Sequence, residues 1–288
     1  MTDIQPVLAS GTFSIGGDLD VRRLGYGAMQ ITGPGVWGEP ADRDGAIATL
    51  RRAVELGVDF IDTADSYGPF VSEDLIREAL HPYGHVRIAT KAGFTRQGPG
   101  EWRVVCQPAY LRQCAEMSLR RLGVETIDLY QLHRIDSTVP LEAQLGVFSE
   151  LVAEGKVRHV GLSEVTVDEL KAAQEIVPIA TVQNLYNVAN RQSEALLAHC
   201  DEHRIGFIPW FPIATGQLAT PDGPLTAIAA RTGLTPAQLA LAWLLRRSPF
   251  MLPIPGTKSV RHVEENCAAA LVELDDATYA ELDALAAP

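Results

Sequence analysis

The feature that most constrains this chain is a repeat of two alternating patterns. Short runs of apolar and β-branched residues, the form taken by strands buried on both faces, alternate with longer segments whose apolar residues recur every three or four positions. After a first short strand over residues 24–26 and a helix over 42–56, the strand ending at Asp62 is followed by a helix over 72–80. Strands at 86–90, 127–132, 159–162, 180–183 and 206–209 then alternate with helices at 108–122, 141–154, 167–175 and 193–203. Helical segments at 225–231 and 236–247 lead to an eighth strand at 251–254, and helices at 260–270 and 276–285 end the chain. This order implies parallel strands joined by right-handed crossovers, and eight of them close a barrel.

Length and charge agree with that reading. The 288 residues lie near the ~250 typical of one such barrel, and no stretch reads as a linker, so a single domain over 1–288 is expected. A net charge of −12 argues against nucleic acid or an anionic membrane as partner. The N-terminus has no basic region followed by an apolar stretch, so a secretory signal is not expected. Cys106, Cys114, Cys200 and Cys267 are dispersed, match no zinc or redox spacing, and read as reduced thiols of a cytoplasmic protein. The glycine-rich stretch over 27–38 is not followed by GxGxxG and a helix start, which argues against a Rossmann phosphate loop.

The chemistry is suggested by what ends the strands. FIDTADSYG at 60–68 offers Asp62 and Tyr67, the next strand ends in Lys91, and the one after it in His133. Each residue alone has a structural explanation: a turn-capping aspartate, a half-buried loop tyrosine, a solvated lysine, a core histidine. In a parallel barrel, however, all the strand ends meet at one mouth. A phenol titrates near ~10, so it can serve as an acid at neutral pH where a lysine lowers its pKa and a carboxylate holds that lysine in place.

These residues carry a resemblance. DTADSYG, TKAG at 90–93, LYQLH at 129–133, HVGLSE at 159–164, VQNLYN at 182–187 and IPGTKSVRHVEEN at 254–266 occur in order, and together they resemble the aldo-keto reductase superfamily. The resemblance implies a (β/α)8 TIM barrel whose bottom is closed by an N-terminal β-hairpin (12–15 and 20–22), with extra C-terminal helices. It also implies NADPH or NADP+ lying across the C-terminal face, no metal, and reduction of a small aldehyde or ketone or the reverse. Tyr67 is then the proton donor, Lys91 held by Asp62 its activator, and His133 the residue that orients the substrate oxygen. Ser163 and Gln183 match residues that bind the nicotinamide carboxamide, and Trp210 takes the stacking position, with Phe211, Pro212 and Gly216 beyond it. Gly256, Thr257, Lys258, Arg261 and His262 would surround the 2′-phosphate at a helix start. Glu265 and Asn266 match the residues that hold the adenine.

Two departures stand out. Glu164 replaces an asparagine common in the family; it either points at the carboxamide and favours NADP+ over NADPH, or faces solvent. Gly256 and His262 replace the usual lysine and arginine of the phosphate site. Trp37, Phe70, Phe94 and Trp102, with Phe211, are expected to line an apolar substrate pocket. The stretches at 23–40 and 208–216 resemble the bacterial pyridoxal reductase branch, which makes pyridoxal the leading substrate. A second possibility is an NADP-binding regulatory barrel of the potassium-channel β-subunit kind. Oligomeric state is not legible.

Overall fold

In the computed structural model, which describes residues 5–213 and 224–286, strands and helices alternate along the chain. An antiparallel hairpin, β1 (Thr12–Ile15) and β2 (Leu19–Arg22), precedes β3 (Tyr26–Gly27) and α1 (Arg43–Glu55). There follow β4 (Phe60–Asp62), α2 (Val71–Leu80), β5 (Arg87–Ala92), a short side hairpin of β6 (Phe94–Thr95) and β7 (Arg103–Val104), and α3 (Pro108–Leu122). The rhythm continues through β8 (Ile127–Leu132), α4 (Leu141–Ala153), β9 (Val157–Ser163), α5 (Val167–Gln174), β10 (Ile179–Leu185), α6 (Glu194–His203) and β11 (Gly206–Trp210). Four helices follow: α7 (Pro224–Thr232), α8 (Pro236–Arg247), α9 (Val260–Ala268) and α10 (Asp276–Asp283).

Seven parallel strands form one curled sheet in the order β11-β10-β9-β8-β5-β4-β3. The eighth position is taken by residues 250–256, which bond to both edges. Phe207 N donates to the Phe250 carbonyl at 2.9 Å and Leu252 N to that of Phe207 at 2.8 Å; on the other side Gly25 N reaches the Pro253 carbonyl at 2.9 Å. The sequence reads this segment as a regular strand, yet only an isolated bridge between Phe207 and Met251 forms. Pro253 and Pro255 have no N–H to donate, so the segment faces β3 with acceptors alone. It closes the (β/α)8 barrel even so.

The interior is layered by the two-residue period of the strands. Phe60, Ala89, Leu129, Ile208, Leu252 and Ile254 form an apolar floor, onto which Phe13, Ile15, Leu19 and Val21 of the hairpin pack. The hairpin therefore closes the bottom. Two residues further along the same inward faces lie Asp62, Lys91 and Gln131, and then His133, so polarity rises towards the mouth. A larger apolar cluster fills the space between barrel and helices. The helices start where their caps lie: Asp42 accepts from Gly45 N at 2.9 Å to cap α1, and Thr166 with Glu169, and Thr235 with Gln238, form capping boxes ahead of α5 and α8. All four cysteines are buried free thiols, and among the described residues no helix is long and apolar enough to cross a membrane.

The seam between β3 and the closing segment leaves no room for a side chain. A Cβ on Gly27 would lie 2.6 Å from the Ile254 carbonyl oxygen, whereas one on Gly146, inside α4, would meet nothing within 4 Å. Gly27→Ala should therefore destabilise the protein by about 1–3 kcal/mol through overpacking against backbone. Gly146→Ala should stabilise it by up to about 1 kcal/mol through helix propensity. Thermal melts of the two variants check both; equal shifts would mean that the seam is not tight.

Candidate active site

The centre of the barrel mouth is a buried ion pair. Lys91, with no exposed surface, donates from Nζ to Asp62 Oδ2 at 2.6 Å and to the Thr63 carbonyl at 2.8 Å. Its third neighbour is the Tyr67 hydroxyl oxygen at 3.5 Å. The other oxygen of Asp62 accepts from Gln131 Nε2 and Gln183 Nε2, each at 2.9 Å. Four strands, β4, β5, β8 and β10, thus contribute one side chain each to a single network. Burial pulls the Lys91 pKa down, but the Asp62 carboxylate and the Tyr67 oxygen outweigh it and the net shift is upward. The ammonium stays charged.

The electrostatics of Tyr67 differ from the sequence expectation. Burial raises its pKa, the Lys91 charge lowers it, Asp62 raises it again, and the balance lies above the ordinary phenol value. Lys91 acts in the expected direction, but the closed environment is the larger effect. His133 is pushed well below the usual histidine range, by burial first and then by Lys91, Arg134 and Arg96, so the imidazole is neutral. The Ser66 hydroxyl lies 3.5 Å from Nδ1; with the hydroxyl as donor, the ring proton would sit on Nε2. The imidazole packs edge-on against Phe94, with centroids 4.6 Å apart, and against Tyr67 at 5.8 Å.

Above this network opens a cavity of about 570 Å³. Asp62, Tyr67, His133, Phe94 and Trp102 lie on one side; Ser163, Gln183, Trp210, Phe211 and Pro212 lie on the other; Gly256 is at its edge. Two residues expected to line the substrate pocket are placed elsewhere. Phe70 is 47 % exposed at the start of α2, under the Arg121 guanidinium, and does not line the cavity. Nor does Trp37, which pairs with Gly68 while its neighbour Val36 faces the cavity. Thr257, Lys258, Arg261, His262, Glu265 and Asn266 lie outside the cavity, where residues beyond Gly256 lead into α9; Lys258, Arg261 and His262 are exposed, and Asn266 is buried. Gly216 lies outside the described residues.

Glu164 does not simply face solvent. Held in a left-handed conformation at φ 55°, it accepts at Oε1 from Leu185 N at 2.7 Å and from the Trp210 indole N–H at 2.5 Å. This carboxylate fixes the aromatic wall. Two arginines that the sequence did not single out also build the mouth. Arg96 donates to the carbonyls of Gly35, Val36, Ser66 and Glu101 at 2.7–2.9 Å and lies 3.6 Å from the Trp102 ring centroid. One guanidinium thereby ties three loops together. Arg134 lines the cavity and donates to the His133 carbonyl at 2.6 Å and to Ser163 Oγ at 2.9 Å. The signal for Gln131 was present, since it lies two residues before His133 on the same strand face. Arg96 could not be found this way, because its partners are backbone carbonyls.

Comparison with known proteins agrees with this geometry. Residues 23–287 match the model of the aldo/keto reductase family. The chain is 52% identical over 274 residues to an uncharacterized oxidoreductase of Schizosaccharomyces pombe, covering 95% of this chain and 89% of that protein. It is 42% identical over 285 residues to pyridoxine 4-dehydrogenase of Escherichia coli, covering 96% of this chain and 99% of that enzyme. Among solved structures, an aldo/keto reductase from Klebsiella pneumoniae in complex with NADP and acetate superposes with a TM-score of 0.80 at 29% identity, covering 95% and 94% of the two chains.

Removing the Glu164 carboxylate should free the indole. In Glu164→Ala the Leu185 and Trp210 N–H groups lose their acceptor, at a cost of about 1–3 kcal/mol, and the Trp210 fluorescence should shift to the red. Glu164→Gln keeps an acceptor oxygen and should stay close to the parent spectrum. Recording each spectrum against its Trp210→Phe counterpart isolates the residue; identical Trp210 emission in all three proteins would show that Glu164 does not hold the ring.

Proposed function

The chain belongs to the aldo/keto reductase family, and from that premise we propose that it is an NADP(H)-dependent oxidoreductase interconverting a small aldehyde or ketone and its alcohol, with Tyr67 as the proton donor. The observation that carries this reading is the placement of Lys91 Nζ between Asp62 Oδ2 and the Tyr67 hydroxyl, at the floor of an aromatic cavity.

The donor set fits a nicotinamide dinucleotide. Trp210 offers a flat apolar wall fixed by Glu164, and Ser163 beside it offers a hydroxyl. Gln183 contributes less than the sequence suggests: its amide N–H is committed to Asp62, which leaves its carbonyl oxygen as the free end. Gly256 marks the exit from the cavity, beyond which Lys258, Arg261 and the Ser259-capped start of α9 supply charges and backbone N–H groups suited to phosphate. When bound, the cofactor supplies the hydride. The K. pneumoniae relative holding NADP supports this choice.

The protein's own groups handle the proton. A substrate oxygen set between the Tyr67 hydroxyl and His133 Nε2 receives a hydrogen bond from each, and the neutral imidazole donates without competing as an acid. Tyr67 then delivers its proton, and the phenolate left behind is stabilised by the Lys91 ammonium, whose charge Asp62 holds in place. Phe94 and Trp102 supply an apolar wall beside that oxygen. Among substrates, pyridoxal with its alcohol pyridoxine is the pair we favour, supported by the E. coli pyridoxine 4-dehydrogenase relative. A cytoplasmic location goes with that assignment.

Loss of NADPH absorbance with an aldehyde panel tests the reading. Tyr67→Phe should lower kcat by roughly 10²–10⁴-fold while NADPH still binds; full turnover in that variant would remove Tyr67 as donor. The pH profile has a definite sign. Reduction needs the protonated phenol, whose pKa is raised, so its rate should hold through neutrality and fall only at alkaline pH. Alcohol oxidation needs the phenolate and should rise with pH over the same range. Because His133 is neutral, no acid limb near the usual histidine pKa should appear.

A further inference from the structure

We propose that Arg134 forms an anion subsite in the cavity, and that the substrate is a carbonyl compound bearing an anionic oxygen, carboxylate or phenolate, close to the reacting carbonyl; this rests on the reductase reading above. Arg134 leaves the end of β8 directly after His133, is half-buried, and lines the cavity. Its Nη1 is held by two neutral acceptors, the His133 carbonyl and Ser163 Oγ. Among the described residues no acceptor takes an N–H from Nε or Nη2, and no carboxylate lies within ion-pairing distance. Arg121, by contrast, is held by Glu73 at 2.5 Å. The nearby carboxylate of Glu164 already accepts from Leu185 and Trp210.

The half-buried guanidinium lies 5.7 Å from the Phe94 ring centroid at the cavity wall, and the carboxylate whose charge it feels, Glu164, makes no ion pair with it, so Nε and Nη2 stay open to an anion that enters the cavity. Its planar fork suits an oxyanion. The phosphate-binding end assigned to the cofactor lies beyond Gly256, across β9, β10 and β11 from Arg134, so the cofactor phosphates do not supply that anion. The Arg134 charge acts on both His133 and Tyr67, and all three line the one cavity, which puts the anionic group near the position proposed for the carbonyl oxygen. An ortho-hydroxy or ortho-carboxy aldehyde has that spacing, and so does pyridoxal, whose phenolic oxygen is ortho to its aldehyde.

The test compares kcat/KM for 2-formylbenzoate, for salicylaldehyde above the pKa of its phenol, and for benzaldehyde, in the parent protein, Arg134→Gln and Arg134→Lys. The parent should favour at least one of the two anions over benzaldehyde by tenfold or more. That ratio should fall at least tenfold in Arg134→Gln and be partly restored in Arg134→Lys. A response confined to 2-formylbenzoate assigns the subsite to carboxylates, and one confined to salicylaldehyde assigns it to phenolates. An unchanged ratio in Arg134→Gln overturns the proposal. A measurement free of turnover runs beside it: tryptophan quenching on titration with benzoate and with benzamide. Tighter benzoate binding in the parent, with the preference lost in Arg134→Gln, supports the subsite; equal binding of the two in the parent overturns it. If no aldehyde oxidises NADPH, the reductase reading fails, and the titration still decides the subsite.

Discussion

A fully buried ammonium is the constraint around which the barrel mouth is built. Withdrawing one charge from water costs several kcal/mol unless excellent partners replace the solvent, and Lys91 has three: a carboxylate, a backbone carbonyl and a phenol. The carboxylate is satisfied in turn by two glutamine amides from across the barrel. Lys91 is in register with Gln131, and Gln131 with Gly161, where a Cβ would come within 2.4 Å of Thr181 Oγ1. Strand register and charge satisfaction are therefore one requirement. A slip of one residue in β5 or β8 would turn these polar groups towards the apolar layer under the helices and leave Asp62 without its counter-charge.

Over that rigid floor the walls consist of loops, and loops need their own fixtures. Arg96 draws together the loop after β3, the loop carrying Tyr67 and the side hairpin carrying Trp102, using carbonyls that would otherwise depend on water. Glu164 does the same on the opposite wall by linking the ends of β9, β10 and β11. In both cases a charged side chain binds neutral partners, so neither fixture depends on salt-sensitive surface pairing. The result is a pre-shaped cavity whose aromatic walls are set by hydrogen bonds as well as by packing.

The gathering of Asp62, Tyr67, Lys91 and His133 at one end of the barrel was legible in the sequence because the strand rhythm set that common end; that Asp62 and Lys91 face inward became visible only with the strand registers. The eighth strand was legible in position but not in form, since a pattern of apolar residues does not register that Pro253 and Pro255 lack donors. Trp37 and Phe70 were misplaced because hydrophobicity says only that an aromatic ring tends to be covered, not where: Phe70 stays largely exposed outside the cavity, with an arginine over one face. The partners of Glu164 lie 21 and 46 residues away, on two other strands. Such contacts exist only once the barrel has closed.

The same closure explains why the centre suits proton donation more than general base chemistry. Burial, reinforced by the three cations Lys91, Arg134 and Arg96, holds His133 neutral, so it offers a hydrogen bond without carrying a charge. Tyr67 feels Lys91 and Arg134 as well, yet the closed environment keeps its proton bound. The positive field then acts on whatever negative charge develops at the substrate oxygen or remains on the phenol after transfer. Preorganised charge of this kind needs no rearrangement during the reaction, and it stands within a protein whose overall charge is −12.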